Sequence, residues 1–198
     1  MIPQTYIFIG RSGCGKGTQA ALLQKILETD HGDMPIVHVE TGKIFREFIK
    51  GTTYTHEIAK KIYNEGGLQP EFLAVNLWSN FFIENMVDNC NLIIDGTPRK
   101  FEEAYILDST FRFYSRHKPH IIFVNVSRKW SEERMTERKR KDDTKHDIKA
   151  RLDWFETEVM RVVDYYKSNP DYAFHDVNGE RAIEEIHDDI VKMTGLSK

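Results

Sequence analysis

The chain has 198 residues, 40% of them hydrophobic and 30% charged, and its 31 acidic and 28 basic side chains leave a net charge of −3. That length fits one domain able to bury a helix-covered sheet, and the near balance of charge excludes a global attraction to nucleic acid or to an anionic membrane. There is no long apolar run, Met1 is followed almost at once by strand-like sequence, and Cys14 and Cys90 make neither a disulfide framework nor a four-cysteine zinc site, so a cytoplasmic setting is expected.

Tyr6-Ile7-Phe8-Ile9 is a short apolar run rich in aromatic and β-branched side chains, which predicts a buried strand. It leads into Gly10-Arg11-Ser12-Gly13-Cys14-Gly15-Lys16-Gly17-Thr18, after which Leu22, Leu23, Ile26 and Leu27 recur at helical spacing. A glycine-rich loop between strand and helix, ending in lysine, is the pattern of a phosphate-binding loop. Glycines let backbone N–H groups converge, the helix start adds the positive end of its dipole, and Lys16 adds a full charge. A nucleoside triphosphate is the expected guest. Gly17 stands where such loops usually carry a magnesium-binding hydroxyl, and the hydroxyl arrives one residue later, at Thr18.

Ile36 to Val39 predicts the second strand, and Thr41-Gly42-Lys43-Ile44-Phe45-Arg46 follows on a helix reaching Ile49. Thr41 can simply cap that helix, with Arg46 solvated on its surface. Alternatively Arg46, one turn beyond Gly42 at the end of a strand, clamps a phosphate through two parallel N–H bonds. Leu92-Ile93-Ile94 predicts the third strand and runs into Asp95-Gly96-Thr97-Pro98-Arg99, which reads as a turn with Pro98 at the first position of a helix. An aspartate at the end of a buried strand opposite a phosphate loop also suits a hydrated magnesium ion.

Ile121 to Val126 and Tyr172 to Val177 predict two further strands. Between them lie Arg134, the run Arg138-Lys139-Arg140-Lys141, then Asp142, Asp143 and Arg151, the last on a helix marked by Ile148, Leu152, Phe155, Val159 and Val162. From composition alone the basic run reads as a solvated face or a targeting signal as readily as a functional segment. The alternation of strands and helices predicts a doubly wound α/β domain of the P-loop NTPase type, with a five-stranded parallel sheet. Its ligands gather at the carboxyl ends of the strands. No repeat or Pro/Gly/Ser-rich linker divides residues 1–198, so a single domain is expected.

Gly-x-x-Gly-x-Gly-Lys-Gly-Thr-Gln, Thr41-Gly-x-x-x-Arg46, Gly66-Gly67-Leu68-Gln69-Pro70, Asp95-Gly-x-Pro-Arg99, Arg140-x-Asp-Asp with Arg151, and Val177-Asn178-Gly179 follow in order across nearly the whole chain. In this the sequence resembles the adenylate kinase family and its nucleoside monophosphate kinase relatives. The resemblance implies transfer of the γ-phosphoryl of Mg-ATP to AMP, giving two ADP. It implies an inserted monophosphate-binding segment near 41–70 and an abbreviated lid near 134–143. Lys16, Arg99, Arg138, Arg140 and Arg151 would be catalytic, because phosphoryl transfer needs positioning and charge neutralisation more than covalent chemistry.

ATP would lie on Gly13, Cys14, Gly15, Lys16, Gly17 and Thr18, with Arg138 and with Arg134, which can stack on the donor adenine. AMP would lie among Thr41, Gly42, Arg46, Leu68, Gln69, Gly96, Arg99, Glu103, Arg140 and Arg151. Asp95 would reach Mg2+ through water; no zinc, nucleic acid or membrane is implied, and a monomer is expected.

The sequence departs from the family pattern in three places: Lys43 stands where an aspartate is usual, Thr97 replaces an aromatic, and Glu103 replaces a glutamine. An ionised glutamate can only accept hydrogen bonds, so it suits guanine better than adenine unless it is protonated, touches only the amino group, or turns into solvent. GMP, CMP or UMP as acceptor, and a catalytically silent nucleotide-binding module, are the alternatives. A P-loop hydrolase or small-molecule kinase would lack the paired Thr41 and Asp95 motifs.

Overall fold

The computed structural model of the chain describes residues 2–30, 32, 34–138 and 144–196. Its elements run β1 (Thr5–Ile9), α1 (Lys16–Asp30), β2 (Ile36–Glu40), α2 (Thr41–Phe48), α3 (Tyr54–Asn64), α4 (Glu71–Asn85), β3 (Asn91–Asp95), α5 (Phe101–Phe113), β4 (His120–Asn125) and α6 (Arg128–Arg138). A helical run then passes from α7 (Lys145–Trp154) through a π turn (Phe155–Val159) into α8 (Met160–Ser168), followed by β5 (Ala173–Asn178) and α9 (Ile183–Thr194).

All four strand pairings are parallel and the order is β2-β3-β1-β4-β5, which confirms the expected sheet. Alternate residues feed two cores, as the pleat requires. Ile7, Ile9, Val39, Leu92, Ile94, Ile121 and Phe123 pack on one face against Trp78 and Phe82 of α4, Leu107 of α5 and Val162, Val163 and Tyr166 of α8. Tyr6, Phe8, Ile93, Ile122 and Val124 pack on the other against Leu23 and Leu27 of α1 and Ile186 and Ile190 of α9. Residues such as Tyr6, Phe8 and Ile93 are wholly buried, each burial contributing about 1.5–3 kcal/mol before conformational entropy is set against it. β1 thus lies at the centre of the sheet, and the loop that follows it opens at the crevice where the strand order turns.

Two smaller clusters fix the elements above that edge. Phe45, Ala59, Leu73 and Ala74 join α2, α3 and α4, while Met135, Ile148 and Leu152 hold α6 against α7. The expected strands are confirmed with their ends displaced by one residue, and the helix expected to reach Ile49 ends at Phe48. Two local expectations are corrected. Pro98 does not open a helix: the Thr97–Pro98 peptide is cis and α5 begins three residues later, at Phe101. The helix carrying Ile148 to Val162 is not α-helical throughout, since the π turn lies inside it.

Candidate active site

A cleft of about 890 Å3 lies along the carboxyl ends of the strands, lined by the phosphate loop and by residues from every motif within the described part of the chain. Arg140, Asp142 and Asp143 lie outside the described residues.

The loop is built by local necessity. Gly13 has a φ of +86°, and a Cβ there would lie 3.0 Å from the Ser131 carbonyl oxygen and 3.1 Å from Met135 Cγ, so only glycine suits both conformation and space. The Arg11 carbonyl accepts from the Cys14 N–H at 3.1 Å and from the Lys16 ammonium at 3.4 Å, which closes the loop and holds the lysine across its mouth. The Cys14 side chain is 3% exposed and packs with Tyr6, Phe8 and Ala20, so only its backbone can face a phosphate. Burial pushes its thiol up, with Lys16 pulling the other way.

Asp95, the last residue of β3, borders this loop directly. A Cβ on Gly17 would come 3.1 Å from Asp95 Oδ2, so the glycine leaves room for the carboxylate. Asp95 Oδ1 is buried and has no hydrogen-bond partner among the described residues. An orphaned carboxylate oxygen beside a phosphate loop fits a hydrated magnesium ion held through water. Among the described residues no group of three or more His, Cys, Asp or Glu is placed to hold a metal directly.

The second wall comes from β2, α2 and the turn after β3. Thr41 does not cap α2, correcting that reading: it is the first helical residue, Glu40 takes the cap position, and no side chain caps the helix. The Thr41 side chain is buried and its hydroxyl has no partner among the described residues. Arg46 lies over the start of the helix, with Nη1 3.2 Å from where a Cβ on Gly42 would be. Arg99 Nε donates to the Gly96 carbonyl at 2.8 Å, and its guanidinium lies 5.6 Å from the Trp154 ring. Burial lowers its pKa, Glu103 and Asp95 oppose that, and Arg151 and Arg46 reinforce it. Four charged groups therefore act on Arg99 across the cleft.

Glu103 is only 3% exposed, which excludes the solvent-facing alternative. Its Oε2 accepts from the Thr97 hydroxyl at 3.2 Å and its Oε1 from the Arg99 N–H at 3.4 Å. Burial pushes the carboxyl above the ordinary carboxylate range, against the pull of Arg99 and these two donors. Gln69 Nε2 donates to the Ala59 carbonyl at 2.8 Å, leaving its buried Oε1 without a partner among the described residues. Leu68 and Gly96 also line the cleft.

The remaining wall is formed by α6, α7 and the end of the sheet. Arg134 and Arg138 stand one turn apart on α6, and Arg151 faces them from α7. Arg134 lies over the Trp130 ring at 5.2 Å and pairs with Glu137 at 3.7 Å. Thr18 and Gly179 complete this end.

Gln19, which closes the phosphate-loop motif, donates from Nε2 to the Ile183 carbonyl at 2.9 Å. Other lining residues carry no contiguous sequence signal: Arg181 is held by Asp189 at 2.5 Å. Trp154 Nε1 donates to the Gly66 carbonyl at 3.0 Å, joining the segment after α3 to α7. Gly66 has a φ of +68°, and a Cβ there would meet Asp147 Cα at 2.7 Å, so any side chain would force these two segments apart. The one local sign available for such an approach is the doublet Gly66-Gly67.

Residues 8–170 match the family model described as adenylate kinase. The adenylate kinase of Clostridium botulinum strain Hall is 27% identical, covering 97% of this chain and 99% of the relative. That of Rickettsia akari is 29% identical, covering 96% of this chain and 99% of the relative, and that of Oenococcus oeni is 29% identical over 89% and 91%.

Proposed function

This chain belongs to the adenylate kinase family, and from that premise we propose that it transfers the γ-phosphoryl group of ATP to AMP, giving two ADP. The observation that carries the reading is the convergence on one cleft of a phosphate loop, a second wall bearing Arg46 and Arg99, and the arginine-bearing helices α6 and α7. A lone triphosphate site would not need the second wall.

In this reading the β- and γ-phosphates lie on the backbone N–H groups of Gly13 to Thr18, with Lys16 neutralising their outer oxygens and the start of α1 adding its dipole. The donor base lies toward Arg134, Trp130 and Gly179. The acceptor phosphate is held by Arg46, Arg99 and Arg151, which neutralise it and aim one oxygen at the γ-phosphorus. That oxygen forms the new P–O bond as the bond to the β-phosphate oxygen breaks in line, and the electron pair leaves with ADP. No side chain need act as base, because a phosphate oxygen is already a nucleophile. Asp95 would hold a magnesium ion through water, and that ion would supply charge neutralisation on the donor phosphates. Arg138, with Arg140, Asp142 and Asp143, belongs to the segment 134–143 expected to close over the donor, as 41–70 closes over the acceptor.

The acceptor base is adenine if Glu103 is protonated and presents one donor and one acceptor, as an amide would. Burial pushes that carboxyl above the ordinary carboxylate range, which is the direction the protonated form requires. An ionised Glu103 would instead favour guanine, whose ring N–H and amino group both donate. Two buried free cysteines support a cytoplasmic setting, and the near balance of charge supports small nucleotides rather than nucleic acid or a membrane as partners.

A coupled assay of ADP formation from Mg-ATP with AMP, GMP, CMP or UMP tests the proposal. AMP should give the largest kcat/KM. Absence of ADP with all four, despite ATP binding, would favour a silent nucleotide-binding module.

A further inference from the structure

Arg11 is the second residue of the phosphate loop, yet its side chain leaves the cleft. It is 12% exposed and reaches two distant parts of the chain. Nη1 donates to the Val126 carbonyl at 2.7 Å and Nη2 to Glu156 Oε1 at 2.6 Å, while the guanidinium lies 4.4 Å from the centre of the Phe155 ring. Each contact falls where a cleft-lining element begins or ends. Val126 is buried just past β4, two residues before α6 carries Arg134 and Arg138 into the cleft. Phe155 and Glu156 open the π turn directly after α7 has placed Arg151 and Trp154 there.

A π turn carries an extra residue and so changes the rotation of the helix before it relative to the helix after it; such turns recur at functional sites. With Phe155 locked in the core, Glu156 is the exposed side of this turn and Arg11 is its anchor. At the other end of the same residue, the Arg11 carbonyl accepts from Lys16 Nζ. One residue therefore touches the lysine of the loop and the roots of both arginine-bearing helices. A planar guanidinium is suited to this because it donates in two directions at fixed angles, whereas an ammonium would hold one partner well.

We infer that Arg11 is a positioning residue that sets the phosphate loop against α6 and α7 through Val126 and Glu156, so that Lys16 and the cleft arginines act on one phosphoryl group. The inference rests on the kinase reading above, and its test is arranged so that the two fail separately. In the wild-type protein, Mg-ATP bound at the loop should slow amide hydrogen exchange over residues 145–159. In Arg11→Met, ATP should bind with a Kd within about threefold of wild type while that slowing is lost. Turnover should fall by about tenfold with the KM for ATP little changed, because the error lies in alignment rather than affinity.

Arg11→Lys should recover part of the turnover. Glu156→Gln should lose about threefold, and the double variant should be no worse than Arg11→Met alone, because groups acting as a unit are not additive. If Arg11→Met does not fold, Glu156→Gln alone decides: retained slowing over 145–159 with wild-type turnover overturns the inference. So does a higher KM for ATP at unchanged kcat, which would make Arg11 a direct ligand, or additivity of the two substitutions. A wild-type protein that binds ATP and shows the slowing without transferring phosphoryl to any monophosphate would overturn the kinase reading and sustain the role of Arg11.

Discussion

Replacement of Glu103 by glutamine separates the acceptor readings, because it changes the charge and hydrogen-bond polarity of one buried group and little else. Both carboxyl oxygens already have a protein donor, at 3.2 Å from Thr97 and 3.4 Å from Arg99, so a base can use only the remaining lone pairs. An amide keeps one acceptor for these donors, and the loss of one long hydrogen bond costs the fold about 0.5–1 kcal/mol. In the acceptor complex the amide gains a donor for the ring nitrogen beside the adenine amino group. Leaving that nitrogen buried and unpaired costs roughly 1–3 kcal/mol, equivalent to about a 5- to 150-fold change in KM.

Glu103→Gln should therefore lower the KM for AMP by at least about fivefold at pH 8, where a carboxyl is most ionised, and lower any activity with GMP. The pH dependence has a definite sign. The native pKa lies above the ordinary 4.5, so the native state holds the proton more tightly, and stability is lost as pH rises from that value through the native one. Urea unfolding from pH 4 to pH 8 should show wild type losing ground relative to Glu103→Gln across that window. An AMP-to-GMP ratio of kcat/KM that is unchanged by the substitution would refute base reading by Glu103. A stability difference independent of pH would refute its raised pKa.

Lys16→Ala and Arg99→Ala should each reduce turnover by about a thousandfold, the scale of removing a cation from a phosphoryl-transfer site, with circular dichroism confirming a retained fold. Near-normal turnover in a folded variant would place the phosphates elsewhere. Thr41→Val replaces a buried hydroxyl that has no partner among the described residues. It should leave the thermal unfolding midpoint equal or higher while raising the KM for AMP about fivefold; a lowered midpoint would show that the hydroxyl serves the fold. Two adenosines joined by a chain of phosphates should slow hydrogen exchange over the phosphate loop, over 41–70 and around Arg138 together. Slowing confined to the loop would contradict a two-nucleotide cleft.

The parts of the cleft legible in the sequence are those whose geometry is local. The phosphate loop is one contiguous stretch, and backbone N–H groups do its work, so strand, glycines, lysine and helix suffice to find it. Thr41 and Asp95 are legible at one remove: each ends or follows a strand, and a parallel sheet brings such ends to one edge. The contacts that orient these pieces have no local sign. Trp154 meets Gly66 across 88 residues, Arg11 meets Glu156 across 145, and Gln19 meets Ile183 across 164. The π turn is hidden for a different reason. The spacing of Ile148, Leu152, Phe155, Val159 and Val162 suits an uninterrupted α-helix equally well, and what departs from it is a backbone register held by Arg11 from the other end of the chain. A sequence motif thus locates where phosphate can bind, whereas the alignment of two phosphates for transfer depends on side chains that become neighbours only after the sheet has formed.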